Sequence, residues 1–293
     1  MAEAFGKQIS NLLKGKTGPQ MRAGGWLWRQ WAQALPPSDR PQMFFAVPLV
    51  SRRRAGDWGM VEANLARTLA SFRAQSRGDW QAVVCGQDRP DAGLFDDRVS
   101  FLPFDGSDKF YDKGDKRVAL LRHISRTVAA DGYYMQFDAD DILHPRFVEH
   151  VLSDDNGRGY LIDTGYMADL AAGLFARLAP KSPDAASNIP FNRYCGSSNA
   201  IRVDFRAGAR GSAKLLTKLR AHGRIPAQMA AHGLAMDPVP FAAAIYLVNH
   251  GENMVERRGN LGGKLDYMQR HLVPEAEVAA IRRDFGLDSL PGV

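Results

Sequence analysis

The feature that most constrains the fold is an alternation of short apolar runs with segments of helical periodicity. Residues 43–50 form an apolar run interrupted by Pro48, which is typical of a buried strand that ends in a loop. After the loop at 51–59, apolar residues recur at helical spacing on one face: Val61, Leu65, Leu69 and Phe72. A strand followed by a helix in this way predicts an α/β fold with a mostly parallel sheet flanked by helices.

The same alternation continues along the chain. Further strands are predicted at Trp80–Cys85, Val99–Leu102, Tyr133–Phe137, Tyr160–Thr164, Asn199–Val203 and Ala243–Val248. Helices are predicted at Lys116–Ala130, from Pro145 onward and at Ala213–His222. The turn formers and helix breakers of Pro36–Pro41 indicate a linker. We therefore predict three parts: a basic N-terminal segment with its linker (1–41), one catalytic domain (42–258) and a C-terminal helical tail (259–293).

Composition excludes several classes of protein. The 293 residues are 45% hydrophobic, which is enough for a core, but no apolar run approaches the ~20 residues that span a bilayer. The N-terminal residues contain no apolar stretch typical of a secretory signal. Two cysteines without clustered histidines indicate neither a disulfide framework nor a zinc site. These features predict a cytoplasmic protein with reduced cysteines.

Charge is concentrated near the N-terminus. Residues 1–40 carry six Lys or Arg and two Asp or Glu, which is +4 of the net +6. A nucleic-acid partner is not expected, because basic charge is not concentrated on the predicted domain and no reading motif is present. Three tryptophans accompany the basic residues: Trp26, Trp28 and Trp31. They predict either a helix that packs on the domain or peripheral contact of residues 1–38 with the inner face of a membrane.

An acidic run follows the predicted strand 133–137. Ligands of open α/β sheets bind outside the carboxyl ends of the strands, which is where Asp138, Asp140 and Asp141 lie. Three carboxylates in four residues repel one another, and Mg²⁺ or Mn²⁺ accepts such oxygen ligands readily. The alternative is that an aspartate caps the following helix, a role that needs only one of them. A calcium loop of the EF-hand type is excluded, because Ile142 and Leu143 occupy positions that require an oxygen ligand and a glycine.

The sequence resembles the GT-A glycosyltransferases, particularly family 2. The resemblance covers about residues 43–250 and is strongest in residues 113–145. Phe137–Pro145 resembles the family's hydrophobic residue, Asp-Ala-Asp-Asp and following proline, and Lys116–His123 resembles its Ala-Arg-Asn helix. Ala129–Tyr134 is similar to its Ala-x-Gly-Glu-Tyr segment. The GT-A fold, a nucleotide-diphosphate-sugar donor and a divalent metal (Mn²⁺ or Mg²⁺) are what this resemblance implies.

The resemblance also implies roles for individual residues. Asp138 would contact the donor and the metal, and Asp140 the metal, with Lys113, Lys116 and Arg117 near the donor. Asp88 takes the place of the family's base-recognising acidic residues, and the loop Arg52–Arg54 is either solvated surface or a phosphate contact. His250, after the last strong strand, is predicted as an additional metal ligand. Gly196, Ser197 and Ser198 form a small polar loop predicted to contact the acceptor, and Asp237 is predicted as the catalytic base.

The predicted function is transfer of a sugar from a nucleotide-diphosphate-sugar to an acceptor hydroxyl on a carbohydrate or lipid-linked molecule. Synthesis of a surface polysaccharide or a glycolipid is the expected context. A nucleotidyltransferase that makes a nucleotide-sugar is an alternative, although the loop after the first strand has only Gly56 and Gly59. A catalytically inactive carbohydrate-binding scaffold is a second alternative.

Overall fold

A central sheet and a smaller second sheet form the core of the protein. The structure, a computed structural model, describes residues 36–109, 111–206, 216–217, 219, 221–252 and 262–292. Its strands are β1 (Gln42–Pro48), β2 (Trp80–Gly86), β3 (Val99–Pro103), β4 (Asp131–Gln136), β5 (Asp141–Leu143), β6 (Gly159–Leu161), β7 (Gly165–Asp169), β8 (Leu174–Leu178), β9 (Asn199–Asp204), β10 (Asp237–Pro238) and β11 (Ala244–Leu247). Its helices are α1 (Trp58–Arg73), α2 (Lys113–Thr127), α3 (Phe147–Asp154), α4 (Phe191–Tyr194), α5 (Ile225–Ala231), α6 (Gly262–Arg270) and α7 (Glu275–Asp284). Short 3₁₀ turns occur at Ala92–Leu94, His222–Arg224 and Leu287–Ser289.

The central sheet has seven strands in the order β10-β6-β9-β4-β1-β2-β3. Strands β4, β1, β2 and β3 are parallel neighbours, whereas β9 is antiparallel to both β4 and β6. The predicted α/β class with a mostly parallel sheet is confirmed. The carboxyl ends of β1 and β4 lie side by side, so the loops that follow them meet at one edge of the sheet.

Helices cover both faces of this sheet. On one face, α1 buries Val61, Leu65, Leu69 and Phe72, the residues whose spacing predicted it. Its first turn is capped by Asp57, whose side chain accepts a hydrogen bond from the Met60 N–H. On the other face, α2 buries Leu120, Leu121 and Ile124 against β1 and β2. The parallel strands therefore have apolar residues on both sides, as their continuous hydrophobic runs predicted.

A second sheet, of order β5-β11-β7-β8, lies beyond the acidic run. Of its four strands, only β11 was predicted. Strand β5 begins at Asp141 and pairs antiparallel with β11, so that Tyr246 lies opposite Asp141. This register brings the loop after β11 beside residues 138–140, more than 100 positions earlier in the chain.

Helix α7 and the turn after it pack on the second sheet. Ile281, Phe285 and Leu287 are buried there against Phe175 and Ile245. Half of the predicted helix at 213–222 lies outside the described residues. The proposed boundary at 258 and residues 1–35, with the three tryptophans, lie wholly outside them. No helix in the described part of the chain is long and apolar enough to cross a membrane.

Candidate functional site

The acidic run forms a cluster at the carboxyl end of β4. One ligand atom each from Asp138, Asp140 and Asp141 can be chosen so that all lie within 4.8 Å of one another. The Asp138 N–H donates to Ser197 Oγ at 2.8 Å, which ties the run to the loop before β9. The three carboxylates point to different neighbours, and those neighbours distinguish their roles.

Asp138 faces the start of α2. Its Oδ1 lies 2.7 Å from Lys113 Nζ and 3.7 Å from Arg117 Nη2. Burial alone would raise the pKa of Asp138, but Lys113 and Arg117 hold that pKa below its ordinary value. Asp138 is therefore an anion whose charge is already balanced. Lys113 at a helix N-terminus is disfavoured by the helix dipole, and the Asp138 carboxylate offsets that cost.

Asp140 faces the loop after β11. Its Oδ2 lies 3.2 Å from His250 Nε2. The other ring nitrogen, Nδ1, lies 3.1 Å from Asn64 Nδ2 on α1 and 3.4 Å from the Glu252 N–H. The pairing of β5 with β11 thus brings together two residues, Asp140 and His250, that the sequence predicted separately as metal ligands.

Asp141 points inward and is fully buried. Its Oδ2 accepts hydrogen bonds from Ser197 Oγ at 2.5 Å and from Cys195 Sγ at 3.0 Å. Burial raises the pKa of Asp141 well above its ordinary value, and the negative charges of Asp140 and Asp138 raise it further. Asp141 therefore contributes to the site chiefly by fixing the turn that carries Asp138 and Asp140.

A cavity of about 310 Å³ opens beside the cluster. Its walls come from the end of β1, the start of α1, residues 111–116, the acidic run and the loop after β11. The charged or polar lining residues are Arg54, Asn64, Tyr111, Asp112, Lys113, Lys116, Asp138, Asp140, His250 and Glu252. Acidic and basic groups occupy the same space, which suits a ligand that carries an anionic group together with a cation.

Lys116 lines this cavity, but its ammonium group is already paired with other groups of the protein. The side chain is 1% exposed, and Nζ donates to the Leu49 carbonyl at 2.7 Å and pairs with Asp112 at 2.8 Å. These contacts join the first turn of α2 to the end of β1. Lys116 thus shapes the wall of the cavity, whereas Lys113 presents its charge near Asp138.

Asp88, predicted to recognise the nucleotide base, does not line the cavity. Its Oδ2 accepts a hydrogen bond from the Arg52 N–H at 2.7 Å, which holds the loop between β1 and α1. The three arginines of that loop point to different places. Arg53 pairs with Asp108, and Arg52 lies over the Trp58 ring. Of the three, Arg54 lines the cavity.

The structure does not bring Asp237, the predicted base, to the cavity. Asp237 lies on β10, three strands from β4, which is roughly 14 Å at ~4.8 Å per strand. Its carboxylate pairs with Arg158 at 2.6 Å and accepts from Asn156 Nδ2 at 2.9 Å. The side chain is 43% exposed. These contacts connect the edge strand β10 to the residues just before β6.

The predicted acceptor loop is also placed differently. Ser197 and Ser198 are fully buried, with Ser197 Oγ bonded to the acidic run and Ser198 Oγ donating to the Cys195 carbonyl. Gly196 lies against Asp138, and a Cβ there would be 3.2 Å from Asp138 Oδ2. The loop therefore supports the aspartates from behind, because small residues allow this close approach.

Sequence reasoning missed Asn64, Tyr111 and Glu252 as cavity residues. Asn64 could have been recognised from the sequence, because a polar residue beside Leu65 on the predicted apolar face of α1 is unusual. Glu252 accepts from the Asp57 N–H at 2.6 Å and so links the loop after β11 to the start of α1. Tyr111 is 52% exposed at the cavity wall. Neither its residue type nor its position in the sequence indicated that it lines a cavity.

The donor set fits a hard divalent cation. Carboxylate oxygens suit Mg²⁺ or Mn²⁺, and the acidic run directs several of them at one point. His250 Nδ1 accepts hydrogen bonds from Asn64 Nδ2 and the Glu252 N–H, so the ring proton is on Nε2 and faces Asp140 Oδ2. Asp138 can complete the set with one oxygen while the other stays near Lys113. The site thus has the composition predicted for metal binding.

Comparisons with known proteins identify no family. No family model and no curated protein matches the sequence. Among solved structures, one described as the crystal structure of 4-diphosphocytidyl-2C-methyl-D-erythritol synthase is similar over 77% of this chain and 98% of that chain. Its TM-score is 0.39 and its sequence identity 11%. The assignment of function therefore rests on the geometry of the site.

Proposed function

We propose that the protein is a metal-dependent glycosyltransferase of the GT-A type that uses a nucleotide-diphosphate-sugar donor. The observation that carries the proposal is the meeting of Asp140 and His250, 3.2 Å apart, at the wall of a 310 Å³ cavity. The two residues come from separate parts of the chain, and each was predicted as a metal ligand from its place in the sequence. The cavity volume is within the range of small-molecule sites.

The proposed metal site uses the carboxylates of Asp138 and Asp140, with His250 holding the Asp140 carboxylate from the side of the loop after β11. These carboxylates would hold Mg²⁺ or Mn²⁺, which would supply positive charge to balance the diphosphate of the donor. Asp141 stays inside the protein, where its bonds to Ser197 and Cys195 hold the acidic turn in place.

Basic residues of the cavity support an anionic ligand. Lys113 stands at the N-terminus of α2, where backbone N–H groups and the helix dipole favour anions. Arg54 contributes a second cation from the loop after β1. The donor's diphosphate is proposed to lie between these cations and the metal site.

The acceptor is proposed to be a hydroxyl group of a carbohydrate or lipid-linked molecule, as in the synthesis of a surface polysaccharide or glycolipid. We assign no catalytic role to Asp237, because its carboxylate is engaged with Arg158 away from the cavity. Contact of residues 1–38 with a membrane stays a prediction from the sequence.

Donor hydrolysis tests the proposal. The protein is incubated with Mn²⁺ and UDP-, GDP-, CDP- or dTDP-sugars without acceptor, and release of the nucleoside diphosphate is measured by chromatography. One donor class is expected to be hydrolysed. EDTA or Asp140→Asn should slow the reaction by about 100-fold or more, since metal assistance contributes several kcal/mol.

Two outcomes would contradict this proposal. Pyrophosphate release from a nucleoside triphosphate and a sugar phosphate, without donor hydrolysis, would identify a nucleotidyltransferase. Absence of both reactions, with a carbohydrate still bound, would identify a non-catalytic scaffold.

A further inference from the structure

The cavity beside the acidic run has an apolar part as well as a charged part. Its aliphatic and aromatic lining residues are Pro48, Leu49, Val50, Val61, Tyr111 and Ala139. Leu49 is 2% exposed and Val61 is 5% exposed, so both belong mainly to the core. Tyr111 is 52% exposed and is the most exposed of these lining residues. Its side chain therefore offers a ligand more apolar surface than any of the others.

The exposure of Tyr111 also stands out within the described part of the chain. The large apolar side chains exposed there are Met60 at 38%, Leu272 at 40% and Tyr111 at 52%. Of these three, Tyr111 lines the cavity. Single exposed apolar side chains are ordinary on an open protein surface, but aromatic rings in the wall of a pocket usually contact the ligand.

The neighbours of Tyr111 hold it at a fixed place. Tyr111 directly precedes Asp112, the residue that caps the N-terminus of α2. The Asp112 carboxylate pairs with Lys116 at 2.8 Å and accepts a hydrogen bond from Gln87 Nε2 at 2.7 Å. These contacts connect the start of α2 to the end of β2, so the position of Tyr111 at the cavity wall is determined by the fold.

Tyr111 lies close to a cation that faces the acidic run. Lys113 is two residues further along the chain, so the two Cα atoms are at most roughly 7 Å apart. Burial alone would lower the pKa of Lys113, but the Asp138 carboxylate and, to a smaller extent, Tyr111 raise that pKa. Arg54 lines the same cavity. An aromatic ring and two cationic side chains therefore share one binding space.

A nucleoside diphosphate combines the two chemical features that this space accommodates. Its diphosphate is anionic, and its base is a flat ring that stacks on aromatic side chains. Asp88, predicted from the sequence to recognise the base, is instead bonded to the Arg52 N–H and does not line the cavity. Recognition of the base therefore has to come from another residue, and Tyr111 has the chemistry and the position for it.

We propose that the ring of Tyr111 stacks on the base of the bound nucleotide. This inference rests on the proposed function, because it assigns Tyr111 to the nucleoside part of that donor. Stacking depends little on which base is present, since every base has a π face. Tyr111 thus distinguishes nucleotides from diphosphates that lack a base.

Calorimetry of two kinds of ligand tests the inference without requiring activity. UDP, GDP, CDP and dTDP contain a base, inorganic pyrophosphate does not, and each is titrated in the presence of Mn²⁺. Tyr111→Ala is expected to weaken binding of the preferred nucleotide by about 5- to 150-fold, the usual effect of removing a stacking partner. Its affinity for pyrophosphate should stay within about twofold of the original, because the cations and the acidic run are unchanged.

Two further variants serve as controls. Tyr111→Phe keeps the ring, so its affinity for the nucleotide should stay within about threefold of that of the unmodified protein. Leu272→Ala removes another exposed apolar side chain, one that does not line the cavity, and should leave both affinities unchanged.

Three outcomes would overturn the inference. Unchanged nucleotide affinity in Tyr111→Ala would show that the ring does not contact the base. An equal loss of nucleotide and pyrophosphate affinity would show that Tyr111 only supports the position of Lys113. Failure of the proposed function looks different: the unmodified protein would then bind none of the four nucleotides, and the inference would fall with it.

Discussion

The three aspartates of the acidic run differ because each has different partners. Asp138 is balanced by Lys113 and Arg117, Asp140 faces His250, and Asp141 is buried against Ser197 and Cys195. Carboxylates this close cannot all remain charged without compensation, so the surrounding groups determine which of them stay ionised. Asp138 and Asp140 both line the cavity, and only Asp138 has its charge balanced by two cations, so the replacement of Asp140 is the more informative.

At the residue scale, Asp237 gives a prediction about catalysis. Asp237→Asn is expected to leave donor hydrolysis and sugar transfer within about threefold of the original rate, because general-base catalysis contributes 10²- to 10⁴-fold only where the base reaches the substrate. The free energy of unfolding should fall by less than about 1 kcal/mol, the usual value of an exposed ion pair. Steady-state rates and urea unfolding are the two measurements. A transfer rate 100-fold lower with unchanged stability would restore Asp237 as the base.

The cluster of site residues was predictable from the sequence, but their arrangement was not. The order of residue types after β4 was sufficient to predict that Asp138 and Asp140 cluster at the end of that strand. Ser197 was predicted to contact the acceptor, but it is buried and supports the acidic run. This placement follows from the pairing of β9 with β4, which no local sequence pattern encodes. Asp237 was assigned by position alone, and the pairing of β10 with β6 places it elsewhere.

At the scale of elements, the pairing of β5 with β11 builds the site. Strand β5 has only three residues, so its sequence shows no periodic pattern that would distinguish a strand from a loop. The longer runs of β1, β2 and β4, and the helical spacing in α1, were sufficient for prediction because each repeats its pattern several times. The second sheet is made of short strands with antiparallel pairs, which is why only β11 was anticipated.

Lys116 gives a prediction at this scale, because it joins α2 to β1. Lys116→Met removes the donor to the Leu49 carbonyl and the partner of Asp112. Breaking a buried pair in this way should lower the free energy of unfolding by roughly 3 kcal/mol. Urea unfolding measures it, with Lys109→Met, at an exposed lysine, as the control. A loss below about 1 kcal/mol would show that the link is not a major support of the fold.

At the scale of the whole molecule, the cavity is closed by parts of the chain that are distant in sequence. The end of β1, the acidic run and the loop after β11 supply its walls. The C-terminal turn is connected to the cavity residue Asn64 through hydrogen bonds of Arg67. The α/β architecture followed from the alternation of strands and helices. The packing of Phe285 and Leu287 on the second sheet did not, because the periodicity of a helix does not show which surface it covers.

Asp140 is proposed to belong to a metal site that binds a nucleoside diphosphate. Calorimetry of UDP, GDP, CDP and dTDP, each with and without Mn²⁺, tests it on the unmodified protein and on Asp140→Ala. We expect one nucleotide to bind only when Mn²⁺ is present, and Asp140→Ala to lose this binding while its thermal unfolding stays cooperative. Binding that is independent of Mn²⁺ and of Asp140, or no binding of any of the four, would contradict it.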